Sequence, residues 1–191
     1  MGEYEIYFAK TRENGIIPKK RLEDAGYDLY ACFDESYIKI ERGEIVKINT
    51  GIATAFSSHY AMIIKERGST GSLGLSVRMG VIDSGFRGEI KVGINNTGQR
   101  DIIITKDIER IKKALIRKRQ NKMKDRYNLH CNELDIRKLI EEIYFFYPYE
   151  KAIAQAVMVK IPKLKTRVIP YEKLLKIPSE RGVGMLGSTG K

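Results

Sequence analysis

The sequence predicts an all-β fold, a sandwich or barrel of short strands, interrupted once by a helical insertion. Three observations predict it. Short alternating runs recur at close spacing between glycine turns through the first half of the chain. From about Lys106 to Phe146 the apolar spacing becomes helical. The alternation then resumes at Lys151-Ala-Ile-Ala-Gln-Ala-Val-Met-Val-Lys160. A length of 191 residues suits one domain, or one domain carrying an insertion.

The elements follow in order. Tyr4 to Phe8 reads as a first strand, and Pro18 to Asp24 as a polar loop. Ala25-Gly-Tyr-Asp-Leu-Tyr-Ala31 opens on a glycine turn and then alternates. Tyr37 to Ile40 and Ile45 to Ile48 flank the turn Glu41-Arg-Gly-Glu44. Gly51 to Phe56 and Tyr60 to Lys65 are two more strands. Arg67-Gly-Ser-Thr-Gly-Ser72 interrupts them as a small polar loop headed by one cation. Gly80-Val-Ile82 and Glu89 to Ile94 read as the arms of a β-hairpin. Asp83 and Phe86 stand at its mouth, around the turn Ser84-Gly85. Ile102-Ile-Ile104 is a further strand.

Ile108, Ile111 and Leu115, then Ile136, Leu139, Ile140 and Ile143, lie at helical spacing. They predict two helices joined near Arg126–Cys131, with Asn132 as N-cap of the second. Tyr144-Phe-Phe-Tyr147 would pack this insertion, residues 106–147, on the β domain or a neighbour. A short turn or helix is expected near Tyr171–Leu175. The last stretch, 180–191, is glycine-rich and reads as an arm that holds no structure unaided.

The formal net charge is +11, and much of it is local. Residues 106–126 hold ten Lys or Arg against three Asp or Glu. A solvated helix face and a nucleic-acid or protein partner are both compatible with that stripe. No apolar run is long enough for a membrane span, and the first residues lack a signal-peptide pattern. Cys32 and Cys131 have neither metal nor redox spacing. A reduced, cytoplasmic protein is the expectation.

Two segments carry glycine amides, hydroxyls and an arginine together. They are Arg67-Gly-Ser-Thr-Gly-Ser72 and the tail from Arg181, with Ser188 and Thr189. Bare amides can converge on an anion, and a guanidinium fork matches phosphate oxygens. Neither has the spacing of a nucleotide-binding P-loop. Asp83 beside its turn and Asp28 add carboxylates suited to activating a water and to magnesium, which binds mainly through phosphates.

In this order the pieces resemble the trimeric dUTPase family. The motifs are Ala25-Gly-Tyr-Asp-Leu29, Arg67-Gly-Ser-Thr-Gly71, Gly80-Val-Ile-Asp-Ser-Gly-Phe-Arg-Gly88, Ala152-Ile-Ala-Gln155 and Arg181-Gly-Val-Gly-Met-Leu-Gly-Ser-Thr-Gly190. The resemblance implies a single domain, a distorted β-barrel of jelly-roll type, assembled as a homotrimer with shared active sites. It implies hydrolysis of dUTP to dUMP and pyrophosphate with Mg2+. Asp83 would be the general base, activating a water against the α-phosphorus. Phe86 would stack on the deoxyribose, and the main chain from Gly80 to Ile82 would read uracil. Arg67, Gly68, Ser69, Thr70 and Gln155 would face the phosphates. Asp28 would hold magnesium through water. The tail would close over the nucleotide with Arg181, Leu186, Gly187, Ser188 and Thr189. Gly68 stands where the family has Ser, so Ser69 or Thr70 must supply that hydroxyl. Leu186 replaces a stacking Phe.

Two other readings stay open. A regulatory or nucleic-acid-binding protein could use the basic segment. A dCTP deaminase of the same superfamily would need a glutamate where this chain has Gly93.

Overall fold

The computed structural model describes residue 2 and residues 4–127, 132–180 and 182–183. It comprises two units, Met1–Ile161 and Pro162–Lys191. The first begins with β1 (Ile6–Lys10), β2 (Gly26–Leu29), β3 (Tyr37–Ile40), β4 (Ile45–Asn49), β5 (Ile52–Phe56) and β6 (Tyr60–Lys65). A helical turn, α1 (Gly68–Gly71), leads to β7 (Leu75–Arg78), β8 (Val81–Ile82), β9 (Lys91–Asn96) and β10 (Asp101–Thr105). Two helices follow, α2 (Ile108–Tyr127) and α3 (Glu133–Ile143), and then β11 (Tyr144–Pro148) and β12 (Ala154–Lys160). The second unit holds one helical turn, α4 (Tyr171–Leu174), within the stretch expected to turn.

The fold is mostly β, as the alternation predicts. The described strands form four sheets, β1-β5, β11-β10-β3, β2-β12-β6-β8 and β4-β9-β7, and none of these closes on itself. Period-two burial sets which residues face inward. In β5, Ile52, Thr54 and Phe56 are buried and the residues between them are not. Strand β9 is buried from Val92 to Asn96 because it lies between β4 and β7. One core joins the ladders, with Leu29, Ile48, Phe56, Met62, Ile94 and Ile153 among its members. Each such side chain contributes about 1.5–3 kcal/mol of burial. Asn96, fully buried, stays satisfied: its amide donates to the carbonyls of Ile40 and Arg100, and its Oδ1 accepts from Gly98.

Two expectations need correction. The arms flanking Asp83 are not a hairpin. β8 pairs with β6, whereas β9 pairs with β4 and β7, so the Asp83 turn passes from one sheet to another. The segment Tyr144–Tyr147 is also more than packing. It is most of β11, paired in parallel with β10, with Thr105 opposite Pro148. Parallel neighbours need a long crossover, usually helical, and α2 with α3 provide it here. β7 had no expectation at all: Leu-Ser-Val-Arg is too short to show a period.

Asn132 caps α3 as its position predicts, its Oδ1 accepting from the Leu134 amide at 3.0 Å. Asp107 does the same for α2, accepting from the Arg110 amide at 2.9 Å. The helices build a small core of their own from Ile116, Ile136 and Ile140, packed against Leu115, Tyr144 and Phe146. Ion pairs Lys112–Glu141 and Arg137–Glu109 bridge the helices at the surface. Among the described residues no helix is long and apolar enough to cross a membrane.

Ile140→Ala is expected to open a cavity in this small core and cost about 2–5 kcal/mol locally. Hydrogen exchange should then show the amides of α2 and α3 losing protection while those of β9 keep theirs. Equal loss in β9 would mean that the two cores unfold as one.

Candidate active site

The ladder through β12 assembles the first group of candidates. Gln155 stands opposite Asp28 on one side and Lys65 on the other. Its Nε2 donates to the Glu66 carbonyl at 3.0 Å, which fixes the amide beside the turn that begins at Arg67. Arg67 Nε lies 2.9 Å from Asp28 Oδ1, with both side chains about one-third exposed. A pair this open is worth no more than about 1 kcal/mol, so a phosphate can displace it. Beneath it, buried Tyr147 of β11 donates its hydroxyl to the Ala152 carbonyl at 2.7 Å. Burial pushes the Tyr147 phenol up, and the nearby Arg67 guanidinium pulls it the other way.

Arg67, Gly68, Ser69, Gln155 and Asp28 line one open cavity of about 680 Å³, together with Lys19, Lys20, Arg21, Asp24, Ala25, Gly26 and Tyr30. Thr70 does not line that cavity. It is 0% exposed, and its hydroxyl accepts from the Arg67 amide and donates to the Arg67 carbonyl. It closes the turn, so Ser69 is the hydroxyl of that loop left at the cavity.

The second group lies on the sheet-crossing loop. Gly80 and Ile82 line a separate cavity with Met79, Val81, Phe86, Glu89 and Lys91. Gly80 is required there by close approach: its carbonyl accepts from the Ile64 amide at 2.6 Å, and a Cβ would sit 2.7 Å from the Ile64 carbonyl oxygen. The turn closes through the Phe86 amide and the Asp83 carbonyl, at 3.0 Å, and leaves the Asp83 side chain exposed. The Phe86 ring is 42% exposed, and its Cζ lies 2.7 Å from where a Cβ on Gly88 would be, so glycine there leaves the ring its place. Arg87 Nη1 ties back to the carbonyls of Ser84 and Phe86. Beyond the turn, Glu89 accepts from Arg12 and from the Gly51 amide.

Among the described residues the two cavities share no lining residue. Arg181, Leu186, Gly187, Ser188 and Thr189 lie outside the described residues. Among the described residues no three His, Cys, Asp or Glu side chains cluster as metal ligands. Asp28 alone fits a magnesium ion that keeps its own waters and binds chiefly to phosphate. Sequence reasoning passed over Lys19, Lys20 and Arg21, read only as a polar loop. Three consecutive cations four residues ahead of Ala25-Gly-Tyr-Asp28 were the available signal. It passed over Met79 as well. This 53%-exposed residue has a φ of 59°, the one positive value outside glycine among the described residues.

Comparison with solved structures identifies the fold. The chain superposes on the dUTPase of Staphylococcus bacteriophage 80alpha with dUPNHPP at a TM-score of 0.65, with 20% identity, covering 98% of this chain and 99% of that one. A mutant dUTPase from phage phi11 of S. aureus matches at a TM-score of 0.56 and 20% identity over 88% of this chain and 99% of that one. Its description names coordination of a structural Mg(II) ion. In sequence, a deoxyuridine 5'-triphosphate nucleotidohydrolase of Rickettsia canadensis is 40% identical over 113 residues, 54% of this chain and 72% of that relative. The Leptospira interrogans counterpart is 30% identical over 118 residues, 60% of this chain and 80% of the relative. A Pol polyprotein of an ovine maedi visna related virus is 36% identical over 100 residues, 52% of this chain, which spans only 9% of that polyprotein. A family model described as dUTPase matches residues 12–129. The chain belongs to the dUTPase family.

Tyr147→Phe removes the donor to the buried Ala152 carbonyl. It is expected to cost about 1–3 kcal/mol and to lower the calorimetric Tm by a few degrees. An unchanged Tm would remove Tyr147 from the support beneath Arg67.

Proposed function

We propose that this chain hydrolyses dUTP to dUMP and pyrophosphate, as part of a homotrimer whose sites are each completed by more than one copy. Beside family membership, what supports the reading is the division of labour between the two cavities. One is polar, with a guanidinium, a hydroxyl and an amide suited to phosphate oxygens. The other is more apolar, with the Phe86 ring at its edge and Asp83 in the same loop. In this reading the two halves of a site come from different copies, one bringing the phosphate cavity and another the loop of Asp83 and Phe86.

In this reading Asp83 takes a proton from a water as that water attacks the α-phosphorus. The new bond is water oxygen to phosphorus, and the bond to the bridging β-phosphate oxygen breaks, releasing pyrophosphate. Phe86 stacks on the deoxyribose, and the main chain from Gly80 to Ile82 meets the uracil edge. Arg67 exchanges Asp28 for a phosphate, which frees the Asp28 carboxylate for waters on a metal. A magnesium ion, when bound, supplies charge neutralisation and orientation of the phosphates. Ser69 and Gln155 fix the same oxygens. Arg181, Ser188, Thr189 and the glycine amides of residues 180–191 close the site, with Leu186 and Gly187 over the base. The helical segment 106–147 is an insertion in this domain.

The deaminase alternative has little support. Gly93 lies between Lys47 and Arg78 in the ladder, and a Cβ there would stand 3.0 Å from the Arg78 carbonyl oxygen. A second reading concerns α2. Glu109 turns to Arg137 and Lys112 to Glu141, leaving Arg110, Lys113, Arg117, Lys118 and Lys122 on exposed positions. If that face holds nucleic acid, filter binding of duplex DNA should weaken steeply across a salt series. Retention that is absent at low salt would end the idea.

The test of the main reading is pyrophosphate release from dUTP, dCTP, dTTP and UTP, with and without magnesium. Strong preference for dUTP is expected. Asp83→Asn should leave the fold intact and lower kcat by about 10²–10⁴-fold. A variant retaining more than about a tenth of the wild-type kcat would refute Asp83 as the base.

A further inference from the structure

The phosphate-type cavity has a second wall that none of the matched motifs contains. The loop before β2 brings Lys19, Lys20 and Arg21 to the same cavity as Arg67, Ser69 and Gln155. Its position is fixed by the main chain. The Asp28 amide donates to the Lys19 carbonyl at 3.2 Å, so residue 19 is tied to the strand that carries Asp28. The three cations are not equivalent. Arg21 is held by Asp24 through several contacts of 3.0–3.2 Å, which leaves it largely neutralised. Lys20 Nζ donates to the Asp24 carbonyl at 2.8 Å and lies 5.8 Å from the Tyr27 ring centre; it makes no ion pair among the described residues, though its charge acts with Arg21 to hold the Asp24 carboxyl below its usual range. Lys19 is exposed, and its ammonium has no ion-pair partner among the described residues. Across the cavity Arg67 is matched to Asp28.

Four cations therefore face two carboxylates in a cavity of about 680 Å³. Both carboxylates are paired with arginines, and the unmatched charge sits on Lys19 and Lys20. A nucleoside triphosphate carries most of its negative charge on the phosphates farthest from the sugar. Arg67 with Ser69 and Gln155 offers one guanidinium to a chain of three phosphates.

We propose that Lys19 and Lys20 form a terminal-phosphate subsite, specific for the pyrophosphate half of the substrate and for the pyrophosphate product. The proposal rests on the reading that this cavity receives the phosphates. Flexible ammonium groups suit this task better than a guanidinium fork, because they can follow the phosphate chain as it leaves. The two lysines are positioning residues: they hold the leaving group and do not touch the attacking water.

The test uses the full-length protein and inorganic pyrophosphate with magnesium, measured by titration calorimetry beside dUMP. Lys19→Ala/Lys20→Ala is expected to weaken pyrophosphate about tenfold or more, the size of one lost charge-assisted contact. The same variant should bind dUMP within about twofold of wild type, and its KM for dUTP should rise while kcat holds. Both side chains are exposed, and an unchanged thermal midpoint would show that the fold is kept. Lys19→Arg/Lys20→Arg should restore much of the pyrophosphate affinity. A control, Arg42→Ala/Lys47→Ala, removes two exposed charges that line neither cavity. Unchanged pyrophosphate affinity in the lysine variant would overturn the subsite, as would equal weakening in the control or an equal loss for dUMP. Wild-type protein that binds pyrophosphate through these lysines yet leaves dUTP intact would refute the proposed reaction and keep the subsite.

Discussion

Everything at the polar cavity depends on the register of β12. This strand lies inside its sheet, hydrogen-bonded to β2 on one side and β6 on the other. Gln155 is opposite Asp28 in the first ladder and Lys65 in the second. A slip of β12 by one residue would turn Gln155 to the other face, into the row where Ala154 and Ala156 now sit with no exposure, and away from Asp28. The alanines are small because the core closes tightly there, and that tightness penalises the slip. The apolar residues of β12 thus position a polar site that they do not touch.

The paired and unpaired charges follow from the same geometry. Asp28 can meet Arg67 because β12 sets one strand between β2 and β6, and the turn after β6 carries the arginine back over it. Tyr147, close to Arg67, ties the connection between β11 and β12 by its bond to the Ala152 carbonyl. The sheet-crossing loop with Asp83 lies at the far edge, on β8. Separation of the two groups follows from the strand order, which puts β2 and β8 at opposite edges of one sheet.

Much of this was legible in the sequence. Alternation located ten of the strands, and helical spacing located α2 and α3, because those segments repeat their period several times. Asn132 was legible as a cap because its chemistry is local. Pairing partners were not. Gly80-Val-Ile82 and Glu89–Ile94 flank a tight turn and imitate a hairpin, and only the competition from β6, β4 and β7 separates them. Aromatic Tyr144–Tyr147 suited packing as well as pairing, and a parallel partner more than forty residues away leaves no mark on local pattern. At the site, residue types identified Arg67, Ser69, Gln155 and Asp28 as companions. They could not separate Ser69 from Thr70, since a hydroxyl in a glycine-rich turn serves the backbone as readily as a ligand. The lysine wall was overlooked because a short charge run is ordinary on any surface.

The place of β12 has a consequence for how the chain comes off the ribosome. Among the described residues it is the last strand in sequence, yet it lies between β2 and β6, both complete by Lys65. While residues up to the end of α3 emerge, β2 and β6 each present an unpaired edge, and the apolar rows of both are without their partner. Such edges invite pairing with other nascent chains, and contacts this distant in sequence form slowly. The sheet is completed only when β12 arrives. Production yield should therefore respond to translation rate and temperature more than the finished protein's stability would suggest.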